Sequence, residues 1–162
     1  MYSFGKVSLQ RLETCHIDLQ ILFKEVIKWY DISILCGARG KEDQNKAFAE
    51  GKSQRKWPQG EHNALIAVPE KERHMYKLPP LSLAVDWAPY PISWKPEHFY
   101  RFAYVAGAIV EIGKRLFKEY KISSLPRSGF DWDGDGDFTD QSFNDGGHTE
   151  LWFPPPGFVL AA

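Results

Sequence analysis

A carboxylate stands at the centre of the most strand-like stretch of this chain. "SLAVDWA" (82–88) is apolar on both sides of Asp86, and a charged group there is costly to bury unless it is paired or holds a metal. Whatever fold the chain adopts must bring a partner to Asp86. Strand alternation places Asp86 on one face with Ala84 and Ala88, small residues that leave room around it. Two histidines precede it in "GEHNALIAVPEKERHMYKLPPLSLAVD" (60–86), and the residues alone leave open whether His62, His74 or neither is that partner.

Other segments supply the frame. Leu19, Leu22, Phe23, Val26, Ile27 and Tyr30 recur at helical spacing, which predicts a helix over about residues 18–30. "ISILCG" (32–37) reads as a buried strand, and "KEDQNKAFAEG" as a helix closed at Gly51. Phe99, Phe102, Ala103, Ala106, Ile109, Val110, Gly113, Leu116 and Phe117 mark the longest helix, about 97–120. "SGFDW" and "HTELW" flank an aspartate-rich loop, and "PPPGF" ends the fold because consecutive prolines continue neither a helix nor a sheet interior. Strands and helices alternate without regular βαβ units, so the expectation is a small α+β domain.

The 162 residues suit one domain. Twenty basic against twenty-one acidic residues, a net charge of -1, give no electrostatic footprint for nucleic acid or an anionic membrane. No apolar run approaches the roughly 18 residues of a membrane span, and the charged first thirty residues do not read as a signal peptide, so a cytoplasmic site of synthesis is expected. Cys15 and Cys36 lack metal-type spacing and read as buried thiols. Aromatic content of 15%, with six Trp, suits a core or a groove that grips an extended substrate.

In "FNDGGHTEL" (143–151) two glycines separate Asp145 from His148 and allow a tight turn that directs both side chains to one point. Asp86 and His148 are then candidate ligands on separate strands. Catalytic zinc takes three protein ligands and keeps a position open for water, which leaves the third ligand to be found. "DWDGDGDFTD" (131–140) is a separate cation candidate: Asp131, Asp133 and Asp135 with Gly136 follow the first half of a calcium loop, with Asp137 and Asp140 close by. Ser142 stands where a complete loop carries Glu, and Asp140 could supply that carboxylate. Five carboxylates within ten residues repel one another unless a cation or water screens them.

Taken in order, "CGARGKEDQNKAFAEGKS", "WPQGEHN", "LSLAVDWAPYPISW", "FYRFAYVAG" and "FDWDGDGDFTDQSFNDGGHTEL" resemble the phage-type L-alanyl-D-glutamate peptidases over about residues 4–152. These are endolysins of the zinc D-alanyl-D-alanine peptidase, VanY-like superfamily. The resemblance implies a small antiparallel sheet flanked by helices, of the hedgehog/DD-peptidase type. It implies one zinc peptidase domain over 1–152, interrupted by an insertion at 64–78 and followed by a proline-rich tail at 153–162. It places Asp86 and His148 as zinc ligands and Asp145 as the catalytic carboxylate. The commonest spacing of the first motif would put Pro79 at the remaining ligand position, and proline cannot bind a metal. The variant with "P-x-x-x-H-N" matches "WPQGEHN" instead, which makes His62 the ligand and His74 a passenger in the insertion.

The same resemblance assigns Arg39, Gln44 and Ser82 to substrate binding, Arg39 as a fork for a stem-peptide carboxylate. It extends to calcium as a regulator at Asp131, Asp133, Asp135, Asp137 and Asp140. The implied activity is zinc-dependent hydrolysis of the peptide stem of bacterial peptidoglycan, by a monomer that binds neither nucleic acid nor membrane. It would wait in the host cytoplasm for a holin to open the way to the wall and lyse the host. The competing expectations are a D-alanyl-D-alanine carboxypeptidase and a metal-free wall-binding relative. His16 and His98 stand at helix beginnings and are expected to cap them or lie at the surface.

Overall fold

The computed structural model describes residues 1–63, 81–158 and 160. In chain order the elements are α1 (Lys6–Leu12), α2 (Ile17–Val26), β1 (Ile32–Cys36), α3 (Lys41–Ala49), β2 (Ala84–Pro89), a 3-10 turn (Pro96–His98), α4 (Tyr100–Lys118), β3 (Leu125–Ser128) and β4 (His148–Trp152). The four strands make one antiparallel sheet in the order β1-β2-β4-β3. This is the expected α+β arrangement. His74 and the 64–78 insertion lie outside the described residues.

Alternation along the strands divides the sheet into two chemically different faces. Val85, Trp87 and Leu151 join Leu19, Leu22, Phe23 and Val26 of α2 and Phe102, Ala106, Ile109 and Leu116 of α4 in one buried cluster. Helical spacing gives each helix a single apolar stripe, and both stripes end on this face of the sheet. The indole nitrogen of Trp87 donates to Thr149 Oγ1 at 3.0 Å, so the large ring is buried without an unpaired donor. Asp18, buried at the start of α2, accepts from Ser123 N, Ser123 Oγ and Ser124 Oγ and ties that helix to the segment leading into β3.

Two features differ from the sequence expectation. Helix α1 carries too weak a stripe to be read from spacing, yet it does specific work at the sheet edge. Ser8 Oγ accepts from Ile34 N at 3.1 Å and Arg11 donates to Ile34 O at 2.9 Å, so side chains of α1 occupy backbone groups that β1 would otherwise expose. The strand that pairs beside β4 lies in "LPRS", ahead of the "SGFDW" that flanks the aspartate loop. Pro126 interrupts its pattern but is tolerated because, among the described residues, β3 stands at the sheet edge beside β4. His16 caps α2 through Nδ1, which accepts from Asp18 N at 3.2 Å. Among the described residues no helix is long and apolar enough to cross a membrane.

Candidate metal centre

The face of the sheet opposite the apolar cluster carries the chemistry. Cys36 pairs with Asp86 across β1 and β2, and Asp86 pairs with His148 across β2 and β4, so three polar side chains share one rung. Two residues further along the same face, Glu150 of β4 pairs with Arg127 of β3. His62 arrives from outside the sheet. Its ring is 5% exposed and packs at 5.2 Å from the His148 ring.

Both imidazoles address a single oxygen. His62 Nε2 and His148 Nδ1 each lie 3.1 Å from Asp86 Oδ1. The far nitrogen of each ring is held by an acceptor: Gly37 O for His62 Nδ1 at 2.7 Å, and Glu150 Oε2 for His148 Nε2 at 3.2 Å. A carbonyl or carboxylate can only accept, so these far nitrogens carry the proton and the near ones keep the lone pair when the rings are neutral. Two imidazole nitrogens and a carboxylate oxygen thus converge, the donor set that zinc takes in catalytic sites, with each histidine oriented by a partner behind it. Asp86, Asp145 and His148 offer ligand atoms within 4.8 Å of one another, as do Cys36, His62 and Asp86, so each histidine belongs to a possible metal group that includes Asp86. The residues present fit a divalent metal.

Charge explains how this cluster stays folded. Burial opposes ionisation of Asp86, but the His62 and His148 rings outweigh it and hold the carboxyl far below the usual range. Burial likewise opposes charge on the imidazoles; Asp86 overcomes this and pushes His62 to about 10, and Asp86 with Glu150 pushes His148 to about 9. Glu150 is held down to about 2 against its burial by His148 and Arg127. Asp145 goes the other way: burial raises it, and the charge of His148 offsets this only in part. One carboxylate at the site is fixed as an anion while its neighbour is poised to take a proton.

Arg39, Gln44 and Ser82, expected at the substrate, each have protein partners. Arg39 was expected to grip a substrate carboxylate, but its Nη2 donates to Asp86 Oδ2 at 2.8 Å and its Nη1 to Gln44 Oε1 at 3.3 Å, so the fork is taken up within the site. Gln44 is 1% exposed, and its amide nitrogen donates to Ser53 Oγ and Arg55 O. Its role is to brace Arg39 and the turn after α3. Ser82, fully buried, donates to Ala84 O at 2.6 Å and reaches Glu61 O at 3.4 Å; it ties the His62 turn to β2 and has no surface to offer a substrate.

Asn63, which follows His62 in "WPQGEHN", links Arg39 O, Gln44 Oε1 and Gly60 N. Glu150 and Arg127 belong to no motif, yet Glu150 joins Arg127 to His148. The available signal was spacing, since Glu150 stands two residues after His148 and so shares its face.

The glycines between Asp145 and His148 are required by packing more than by the turn. A Cβ on Gly147 would come within 2.6 Å of Trp87 O, and one on Gly146 within 2.4 Å of the Phe130 ring. Close approach to β2 and to Phe130 is what holds Asp145 beside His148.

In the aspartate loop, Asp131, Asp133 and Asp135 gather within 4.8 Å, while Asp137 turns to Thr139 and Asp140 to Gln141. Of the five aspartates expected at calcium, Asp131, Asp133 and Asp135 are the three gathered together.

The site opens into a groove of about 980 Å³. Lys52, Arg55, Arg127, Trp94, Trp132, Phe143 and Asp145 are among the residues that line it. Trp132 stands 5.3 Å from the His148 ring and donates its indole N–H to Phe143 O.

A family model described as phage L-alanyl-D-glutamate peptidase matches residues 1–152. Among solved structures, the crystal structure of the Serratia marcescens L-Ala D-Glu endopeptidase ChiX is similar at a TM-score of 0.62 and 18% identity, over 94% of this chain and 92% of that one. It shares the fold. No curated protein matches the sequence.

The paired shifts set a pH dependence for the metal-stripped protein. His62 and His148 bind their protons more tightly folded than unfolded, so their contribution is complete below the ordinary imidazole value and is lost as pH rises through about 9 to 10. Thermal melts of chelator-treated protein should therefore fall between pH 7 and 10. Zinc-loaded protein, whose imidazoles need no proton to stay paired, should change less over the same window.

Proposed function

This chain belongs to the phage L-alanyl-D-glutamate peptidase family, and we propose that it acts through zinc held by His62, Asp86 and His148, with Asp145 as the catalytic acid-base. The family acts on bacterial peptidoglycan, and the bond hydrolysed joins L-alanine to D-glutamate in the stem peptide. The observation that carries the zinc reading is the convergence of His62 Nε2 and His148 Nδ1 on Asp86 Oδ1, each at 3.1 Å.

When bound, zinc polarises the scissile carbonyl and acidifies water. The protein's own groups do the rest. Asp145, raised by burial, accepts a proton from the attacking water at a carboxylate oxygen and returns it to the D-glutamate nitrogen as the C–N bond breaks. The hydroxyl stays on the L-alanine carbon, so the products are a carboxylic acid and a free amine. Arg39 keeps Asp86 turned so that Oδ1 faces the histidines. Glu150, paired in turn with Arg127, holds the His148 ring with Nδ1 forward.

Incubation with purified peptidoglycan followed by mass spectrometry should release fragments with D-glutamate at the new amino terminus; free D-alanine alone would instead identify a carboxypeptidase. His62→Ala should lose both stoichiometric zinc and lysis. Asp145→Asn should keep zinc and fold but lose at least about 100-fold in kcat.

We extend the proposal to calcium at Asp131, Asp133 and Asp135, supported by their shared approach and by Gly134 and Gly136 at φ 78° and 90°. Calcium titration should raise the melting temperature or the activity, and no response in either would leave the loop a spacer. Storage in the host cytoplasm as a monomer, with release to the wall through a holin, belongs to the same reading. Expression without a holin should leave a culture turbid, and permeabilising the membrane should clear it.

A further inference from the structure

Glu61 is a carboxylate that the proposed chemistry leaves without a task. Among the described residues, the acidic side chains that line the groove are Glu61, Asp86, Asp145 and Glu150. The other three are engaged: Asp86 meets both imidazoles and Arg39, Glu150 meets Arg127 and His148, and Asp145 is the proposed acid-base. Glu61 is half-buried, and among the described residues its carboxylate forms neither a hydrogen bond nor an ion pair.

The charges around Glu61 are committed elsewhere. Arg55 and Arg127 act on it through space, but Arg55 donates to Gln59 O at 3.4 Å, and Arg127 donates to Glu150 and to Trp132 O. Glu150 adds a like charge. An anion partly withdrawn from water gains from any cation that reaches it. The backbone beneath Glu61 is already fixed: its carbonyl accepts from Leu83 N at 2.9 Å and from Ser82 Oγ at 3.4 Å, and Gly60 N donates to Asn63 Oδ1 at 3.1 Å. The residue is therefore held next to the metal ligand His62 before a ligand arrives, which lowers the ordering cost of binding.

The substrate of an L-alanyl-D-glutamate endopeptidase has one cation to offer. In a wall-linked stem the amine of L-alanine is acylated by the lactyl group, and the amine of D-glutamate forms the scissile bond. What is left is the side-chain ammonium of the diamino acid that follows D-glutamate, carried at the end of a flexible chain.

We propose that Glu61 receives the side-chain ammonium of the diamino acid that follows D-glutamate. The enzyme therefore favours stems with that amine free over stems in which a cross-link has acylated it. The assignment rests on the endopeptidase reading of the groove and adds a specificity determinant to it.

The test compares two substrates with the zinc-loaded full-length enzyme: N-acetyl-L-alanyl-γ-D-glutamyl-L-lysine, and the same tripeptide with its lysine side chain acetylated. Wild type should favour the free amine by about tenfold in kcat/KM at low salt. Added salt should shrink that preference, because it screens an ion pair open to water. E61Q keeps the shape of the side chain without its charge and should bring the ratio near one by raising KM for the free-amine substrate. E61K should reverse the preference, a result that a merely structural role for Glu61 would not produce. Zinc content and melting temperature of each variant show whether His62 beside it is still in place; if either variant loses zinc, E61D, which keeps the charge one methylene further back, should give an intermediate ratio. A ratio near one in wild type, or an unchanged ratio in zinc-replete variants, would overturn the proposal. Cleavage of neither substrate by wild type would overturn the endopeptidase reading beneath it.

Discussion

Asp86 is the constraint around which the rest of the structure is arranged. Its two oxygens face different partners: Oδ1 meets both imidazoles, and Oδ2 meets the Arg39 guanidinium. A carboxylate this enclosed would be expensive without compensation, and removing one partner of a buried charge cluster leaves the others exposed to that cost. The neighbouring parts of the fold can be read as ways of bringing those partners in. The sheet order sets His148 across from Asp86, the turn at Gly60–Asn63 delivers His62, and Gln44 and Asn63 hold the arginine in place.

The two faces of the sheet divide the labour between stability and chemistry. On one, Val85, Trp87 and Leu151 meet the apolar stripes of α2 and α4 and form the core. On the other, Asp86, His148, Glu150 and Arg127 form a chain of ion pairs and hydrogen bonds in register across three strands. A strand that alternates can serve both faces at once, since successive side chains point opposite ways. A rigid apolar face therefore fixes the geometry of Asp86 and His148 on the polar one. Preorganisation of this kind is what a metal peptidase needs, because its catalytic groups must already be aimed when the substrate arrives.

The groove is lined in part by segments that are not part of the sheet. The turn after α3 carries Lys52 and Arg55, the segment before α4 carries Trp94, and the loop between β3 and β4 carries Trp132 and Phe143. Such connections can vary without disturbing the core, which is why binding residues concentrate on them. Arg39 illustrates the converse. Its guanidinium is suited to a ligand carboxylate, and in this fold it pairs with an internal one, Asp86 Oδ2.

Much of this was legible in the chain. A charged residue in an apolar strand signalled Asp86, the Asp-Gly-Gly-His spacing paired Asp145 with His148, and the motif around His62 nominated the remaining ligand. Helical periodicity located α2 and α4, because burial of one stripe is a local pattern. Four things depended on tertiary structure. Glu150 becomes the partner of His148 only when β3 brings Arg127 alongside, and Arg39 turns inward only because β1 and β2 place Asp86 within its reach. Ser82 is sealed by its own backbone neighbours, and Gly146 and Gly147 owe their identity to Phe130 and the β2 backbone. Sequence spacing determined which residue types could act together, since periodicity and short motifs act over a few residues. Which partner each polar group took was decided by contacts between strands far apart in the chain, where distance and desolvation select among several chemically acceptable choices.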